Sequence, residues 1–233
     1  MLNIRPADKY CPKCEYPIFD DDQDCFYCYQ IKKKDKEIKN LWIEQIGGLR
    51  AWNEYLDSVF VKTAYNTGAY EAAKSFDYRK HNYLFFGPRG TGKSHLAAII
   101  KRPLITSGVK VLTVSMPDVM SDIKSNIRNG SVLTNWVNRM LLADVLSFED
   151  MAVEKPSEFI TEFYYRIIDS RYRQMKNGLI ITMNQSLEQL ESEWGFFDEH
   201  GRIVSRLKQM CGKNIFNFSG DADFREQADE ARG

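Results

Sequence analysis

Residues 83 to 100 read "YLFFGPRGTGKSHLAAII": an apolar run, a glycine-rich turn and the start of an amphipathic segment. The turn matches G-x-x-x-x-G-K-[ST] from Gly87 to Ser94, and its flanks are those the pattern needs, a strand before and a helix after. Glycines at 87, 90 and 92 let the backbone bend tightly with its N–H groups facing inward, and a helix starting near Lys93 adds the positive end of its dipole. A polyphosphate fits such a cradle. Lys93 is expected to reach the β- and γ-phosphates and Ser94 to bind Mg²⁺ through its hydroxyl, with Pro88, Arg89, Gly90 and Thr91 forming the loop ahead of Gly92. His95 falls in the same stretch, but its residue type argues for packing and for no separate role.

Downstream of residue 82, short apolar runs alternate with longer amphipathic segments: "YLFF", "KSHLAAII", "VKVLTVSM", "PDVMSDIKSNI", "DVLSF", a long helix, "GLIITM", another helix and "NIFNF". Parallel strands are buried on both faces and read as continuous apolar runs, so the expected class is α/β, a parallel sheet with crossover helices. In the long helix Phe159, Ile160, Phe163, Tyr164, Ile167, Ile168 and Tyr172 recur at three- and four-residue spacing behind Pro156, which predicts a core-facing stripe. Pro103 lies inside the helix after the glycine-rich turn, where it removes a hydrogen bond and crowds the preceding turn. A kink or an early helix end is expected there.

A nucleotide with magnesium needs a carboxylate at the carboxyl end of a neighbouring parallel strand. The stretch "ADVLSFED", residues 143 to 150, supplies two at that end. Glu149 is expected to hold Mg²⁺ through water, and Asp150 to orient or deprotonate the attacking water. Asp144 stands at the start of the same strand, on the far edge of the sheet, and is the weaker candidate. The competing reading is a solvated terminus of a buried strand.

Bulk properties bound the rest. At 233 residues the chain holds at most two units. No run approaches the roughly 18 apolar residues of a membrane span, and "MLNIRPADKY" lacks a signal-peptide core, so a cytoplasmic protein is expected. Lys plus Arg and Asp plus Glu each total 32, so any nucleic-acid affinity must come from a local patch and not the overall field.

Four of the five cysteines crowd into residues 11 to 28. Cys11, Cys14, Cys25 and Cys28 form C-x₂-C-x₁₀-C-x₂-C, a spacing that lets two thiolate pairs complete a tetrahedron around Zn²⁺. With every position filled by cysteine the zinc is expected to be structural, substituting for a core too small to fold alone. Between the pairs, Asp20, Asp21, Asp22 and Asp24 would repel phosphate backbones, so that tip is expected to contact protein. Lys32, Lys33, Lys34 and Lys36 read as a solvated linker, with DNA contact as the alternative. Cys211 stands alone and reads as a buried small apolar residue.

Together these pieces resemble AAA+ ATPases of the DnaC/DnaI helicase-loader and IstB type, over roughly residues 48 to 226. The likeness is carried by "YNTGAYEAAKSF", "GPRGTGKSHLAAII", "ADVLSFEDMA", "FYYRIIDSRYRQMKNGLIITMNQSLEQL", "GRIVSRL" and "FSGDADFR" in that order. It implies a P-loop AAA+ core over residues 77–233 without a C-terminal lid, preceded by a zinc module (1–30) and a linker and helical segment (31–76). It also implies ATP as the nucleotide, Asn184 as sensor 1, Arg206 as an arginine finger acting on the next subunit of an oligomer, and Arg225 at the sensor 2 position. Arg202 lies one helical turn before Arg206 on the same face and could share its role, while Arg171 lies in the family's "RY" segment. For each of these arginines the alternative is a surface salt bridge.

One departure matters. The family usually shows Asp first in its acid pair, whereas here Glu149 precedes Asp150, which implies slow hydrolysis. Some loaders of the DnaI type resemble the chain in joining an N-terminal zinc module to the ATPase, and there the module engages the replicative helicase. The resulting expectation is an ATP-dependent replicative helicase loader that contacts single-stranded DNA through its oligomer. The alternatives are an IstB-like transposition helper and an ATP-binding adaptor that scarcely hydrolyses.

Overall fold

The computed structural model describes residues 9–10, 17–18, 40, 44–46, 53, 55–126, 131–198, 200–220 and 224. Cys11, Cys14, Cys25, Cys28, the lysines at 32, 33, 34 and 36, and Arg225 lie outside the described residues. Near the N-terminus two short strands, β1 (Lys9–Tyr10) and β2 (Pro17–Ile18), pair antiparallel.

Among the described residues the main sheet has five strands: β3 (Tyr83–Phe86), β4 (Val111–Ser115), β5 (Val145–Glu149), β6 (Leu179–Met183) and β7 (Ile215–Asn217). Their order is β4-β5-β6-β3-β7 and every neighbouring pair is parallel. Each strand falls on one of the apolar runs anticipated from sequence. In the central β6 all five residues are buried, and full burial stabilises each large apolar side chain by roughly 1.5–3 kcal/mol, so four are apolar and Thr182 is the one polar position. The edge strand β4 does alternate: Leu112 and Val114 are buried between half-buried neighbours.

Seven helices cover the sheet among the described residues: α1 (Thr67–Lys74), α2 (Lys93–Thr106), α3 (Met116–Ser125), α4 (Ser131–Leu142), α5 (Glu158–Arg173), α6 (Leu187–Trp194) and α7 (Arg202–Cys211). Leu84, Phe148, Ile181 and Met183 pack in one cluster with residues of α3 to α7, while Tyr83, Phe85, Val145 and Ile180 pack in another with α1 and α2. Successive residues of a strand point to opposite faces, which produces this three-layer arrangement. Ala69 and Ala73 of α1, ahead of residue 77, belong to the second cluster. No described helix is long and apolar enough to cross a membrane.

Three sequence expectations are corrected. Pro103 neither ends α2 nor stands in its middle: the helix runs on to Thr106. In the last turn a missing N–H costs only one carbonyl its partner, and the Thr106 and Ser107 hydroxyls donate to the carbonyls of Arg102, Pro103 and Leu104 to finish the end. The apolar stripe of α5 is buried from Phe163 to Ile168, but Phe159 and Tyr172 at its ends are exposed. Pro156 lies before the helix, and Ser157 is the cap, its hydroxyl accepting from the Ile160 N–H.

Candidate nucleotide site

β3 runs straight into the glycine-rich loop. Gly87 has φ +138°, and a Cβ there would stand 2.9 Å from the Phe218 backbone carbon, so only glycine lets the loop close against the chain after β7. Gly90 and Gly92 also have positive φ, +80° and +91°. Thr91 is buried and donates its hydroxyl to the Pro88 carbonyl at 2.9 Å, which tightens the turn. The Lys93 ammonium curls back to donate to the carbonyls of Gly87 at 2.8 Å and Pro88 at 2.5 Å. Gly92 caps α2 without any side-chain acceptor, so the first-turn amides keep their capacity for an anion. Ser94 is half-buried on that turn.

His95 faces a different neighbourhood. It hydrogen-bonds the Leu56 carbonyl through Nε2 at 2.8 Å, stacks on Tyr55 at 5.0 Å between centroids and meets Phe60 edge-on. Burial lowers the pKa of its imidazole. Phe60 also lies over Gly92, and the Phe224 N–H donates to the Gly90 carbonyl, so the loop is packed between segments far apart in sequence.

Strand register brings the next elements beside the loop. Phe86 pairs with Met183, and the Gly87 N–H donates to the Met183 carbonyl, so Asn184 follows at the loop's side. β5 flanks β6 on the other side and ends at Glu149 on the same edge. The Asp150 N–H donates to Thr182 Oγ1 at 3.0 Å and the Met151 N–H to the Thr182 carbonyl at 2.8 Å. These bonds hold Asp150 at φ +49°, a left-handed conformation that aspartate tolerates better than most residues. Asp144 stands at the opposite end, paired through its N–H with the Lys110 carbonyl.

Glu149 is not simply solvated. Its Oε1 accepts from the Lys101 ammonium at 2.6 Å, and Lys101 is fully buried while the Glu149 side chain is 22% exposed. Among the described residues its Oε2 takes no hydrogen bond. A hydroxyl at Ser94 and a carboxylate at Glu149 are hard oxygen donors at one sheet edge, the kind Mg²⁺ takes, and one oxygen of that carboxylate is already engaged by Lys101.

Beside this edge lies a cleft of about 300 Å³ lined by Arg89, Glu154, Lys155, Asn184, Gln185 and Glu193. Burial pushes the Glu154 carboxyl up, and the Asp150 charge adds to the effect; the Tyr164 hydroxyl donates to it at 3.5 Å. Sequence reasoning missed Lys101, Thr182 and Tyr164. The first two belong to apolar runs, where a lysine or threonine at a core-facing spacing was the available signal.

The arginines divide into two kinds. Arg206 on α7 donates to Asp169 Oδ1 at 2.7 Å and to the Arg202 carbonyl, and it lies over the rings of Tyr165 and Tyr172. Arg202 pairs with Asp198 at 3.2 Å and lies over the same Tyr165 ring at 4.2 Å, so the two share one helix face as expected. Arg171 is not a surface ion pair but a fully buried guanidinium, and among the described residues its hydrogen bonds go to backbone carbonyls.

This arrangement can be set beside known proteins. Residues 69–221 match the family described as IstB-like ATP binding protein. The replicative helicase loader DnaC of Escherichia coli K12 is 29% identical over 141 residues, covering 60% of this chain and 55% of that protein. A putative insertion sequence ATP-binding protein of Sinorhizobium fredii is 29% identical over 153 residues, covering 65% of this chain and 49% of that protein. The chain thus spans about half the length of these curated relatives. A crystal structure of the DnaC helicase loader superposes with a TM-score of 0.58 at 26% identity, covering 71% of this chain and 97% of that one. The AMPPCP-bound DnaA of Aquifex aeolicus shares the fold, with a TM-score of 0.59 at 19% identity over 77% of this chain and 54% of that one. With the family match running over residues 69–221 and the parallel-sheet fold shared, the chain belongs to the IstB-like ATP binding protein family, within the AAA+ group that includes DnaC.

Proposed function

We propose that this chain is an ATPase that loads a replicative DNA helicase, gripping the helicase through a Cys11, Cys14, Cys25 and Cys28 zinc module and single-stranded DNA through a homo-oligomer. The observation that carries the ATPase part is the convergence of the Gly87–Ser94 loop, Asn184 and the Glu149–Asp150 pair on one sheet edge. The loader part rests on the DnaC relatives, whose name states that role.

In this reading Lys93 exchanges its two loop carbonyls for the β- and γ-phosphates. Ser94 and Glu149 would hold Mg²⁺, which neutralises phosphate charge when bound. Asp150, fixed by Thr182, orients the attacking water and accepts its proton, and Asn184 helps place that water. Arg206, which pairs with Asp169 and Tyr165 within its own chain, would exchange those partners for the phosphates of the next subunit as the finger, with Arg202 beside it and Arg225 at the sensor 2 position. Turnover is slow, because the order Glu149 then Asp150 departs from the family's.

A pull-down with a replicative helicase, with and without ATP, tests the loader part: no capture in either state sinks it. ATPase assays of Lys93→Ala, Asp150→Asn and Arg206→Ala, with and without single-stranded DNA, test the enzyme. Asp150→Asn is expected to keep ATP binding and lose about 10²–10⁴-fold in rate. If wild type and all three variants are equally inactive while ATP still binds, the chain is an ATP-binding adaptor. The Sinorhizobium relative supports a second reading, a transposition helper; capture of a transposase in place of the helicase would select it.

A further inference from the structure

The proposed mechanism leaves Lys101 without a role. Its ammonium donates to Glu149 Oε1 at 2.6 Å, to Thr113 Oγ1 at 3.2 Å and to the Ile46 carbonyl at 3.2 Å. A buried ammonium is costly unless it is paired and fully hydrogen-bonded, so it is held where these three acceptors meet. Thr113 sits on the edge strand β4, paired with Ser147 of β5 on one side and bonded to the upstream segment on the other. Its N–H donates to Gln45 Oε1 at 2.8 Å, and its hydroxyl donates to the Gln45 carbonyl. Ile46 is buried with Ala98 and Ile105 of α2. Gln45 and Ile46 therefore take up hydrogen bonds on the free side of β4 and supply one of the three acceptors that fix the lysine.

We propose that Lys101 is a positioning residue through which the seating of residues 45 and 46 on β4 restrains Glu149, so that this seating and the capture of Mg²⁺ by Glu149 oppose one another. The proposal rests on the reading of the Gly87–Ser94 loop and Glu149 as a Mg²⁺–ATP site. An ammonium 2.6 Å from Oε1 already neutralises the carboxylate, and a metal drawing on that carboxylate must share it with the lysine. The neutral acceptors from Thr113 and Ile46 keep the ammonium in place. Such coupling is reciprocal: metal capture loosens the segment by as much as seating weakens the metal.

The test uses the full chain, a fluorescent ATP analogue titrated with Mg²⁺, and amide hydrogen exchange across residues 44–46 and 111–115. Lys101→Met removes the restraint. Thr113→Val removes only the shared hydroxyl and keeps a β-branched shape suited to a strand. Both are expected to lower the Mg²⁺ midpoint for analogue binding by about fivefold or more, and both to speed exchange at residues 45 and 46. In wild type, Mg²⁺ with the analogue speeds that exchange, and the analogue without Mg²⁺ does not. If Lys101→Met does not fold, Thr113→Val decides alone. Wild-type midpoints in the variants, with analogue bound, overturn the role of Lys101 and leave the ATP site standing. A wild type that binds no analogue under either condition overturns the site reading and this proposal with it.

Discussion

Two fully buried cations mark the two edges of the sheet, and they are held in opposite ways. At the amino edge, Arg171 donates to the carbonyls of Met140, Ala143, Asp144 and Asn177 at 2.7 to 3.4 Å. Burial lowers its guanidinium to about 10, so it remains charged at neutral pH. All four acceptors are backbone, belonging to the end of α4, the start of β5 and the turn before β6. At the carboxyl edge, Lys101 meets a formal carboxylate, Glu149, the residue proposed above as a Mg²⁺ ligand. A cation that satisfies backbone carbonyls ties chain segments together and has nothing to exchange. A cation that shares a carboxylate can be displaced from it, so the amino edge ties the fold together while the carboxyl edge can exchange partners, as the proposed site requires.

The largest test of this contrast is Arg171→Met. It leaves up to four buried carbonyls without their donor, each costing about 1–3 kcal/mol if nothing replaces it, so a net loss near 4 kcal/mol is expected. Lys101→Met should cost less, because the partly exposed Glu149 can turn to water. Urea unfolding of the two variants side by side measures the difference. A loss for Arg171 no greater than that for Lys101 would break the contrast.

The same two residues show what the sequence could and could not convey. The five strands and the phosphate loop are legible because they are local: a parallel strand is an unbroken apolar run, and the loop is eight consecutive residues. The place of Asn184 and Asp150 follows from those strands by register alone. Lys101 and Arg171 are different, because their partners lie up to 55 and up to 31 residues away. What the sequence does contain is their phase: Lys101 falls four residues from both Ala97 and Ile105, and Arg171 four from Ile167, all buried. A charge on a core stripe announces a buried partner without naming it. α4 was also missed, although Val132, Leu133, Trp136, Val137, Met140 and Leu141 of "SVLTNWVNRMLL" recur at helical spacing.

A second test asks whether the two edges open together. Cys211, the last residue of α7, is buried, and burial pushes its thiol up to about 12. Its carbonyl accepts from the Asn214 N–H, just ahead of the amino end of β7. The raised value favours the thiol, so this contribution to stability is complete below the ordinary thiol pKa and is lost as pH rises through about 12. At pH 8 the folded thiol is therefore inert, and alkylation of Cys211 reports opening. An ATP analogue at 100 times its Kd stabilises the folded state by about 2.7 kcal/mol, so labelling should slow by about 100-fold if opening is global. Peptide-level mass spectrometry reads the rate at Cys211 separately from the other cysteines. An unchanged rate would mean that the amino edge opens on its own.

The smallest effect concerns the order of the two acids. The double exchange Glu149→Asp with Asp150→Glu restores the order usual in the family. It also puts a longer side chain at a position held at φ +49° by Thr182, where aspartate is favoured over glutamate. At residue 149 the shorter side chain draws the carboxylate one methylene back from Lys101, whose own position is fixed by Thr113 and Ile46. Both changes act against the fold, and together they should lower stability by about 1 kcal/mol in urea unfolding. Turnover of ATP, measured on the same preparation, should rise as the longer carboxylate reaches the attacking water. Faster turnover from a less stable protein would make Glu149 and Asp150 a pair chosen by the backbone and the buried lysine, with slow hydrolysis as the consequence. Equal stability would detach the acid order from both.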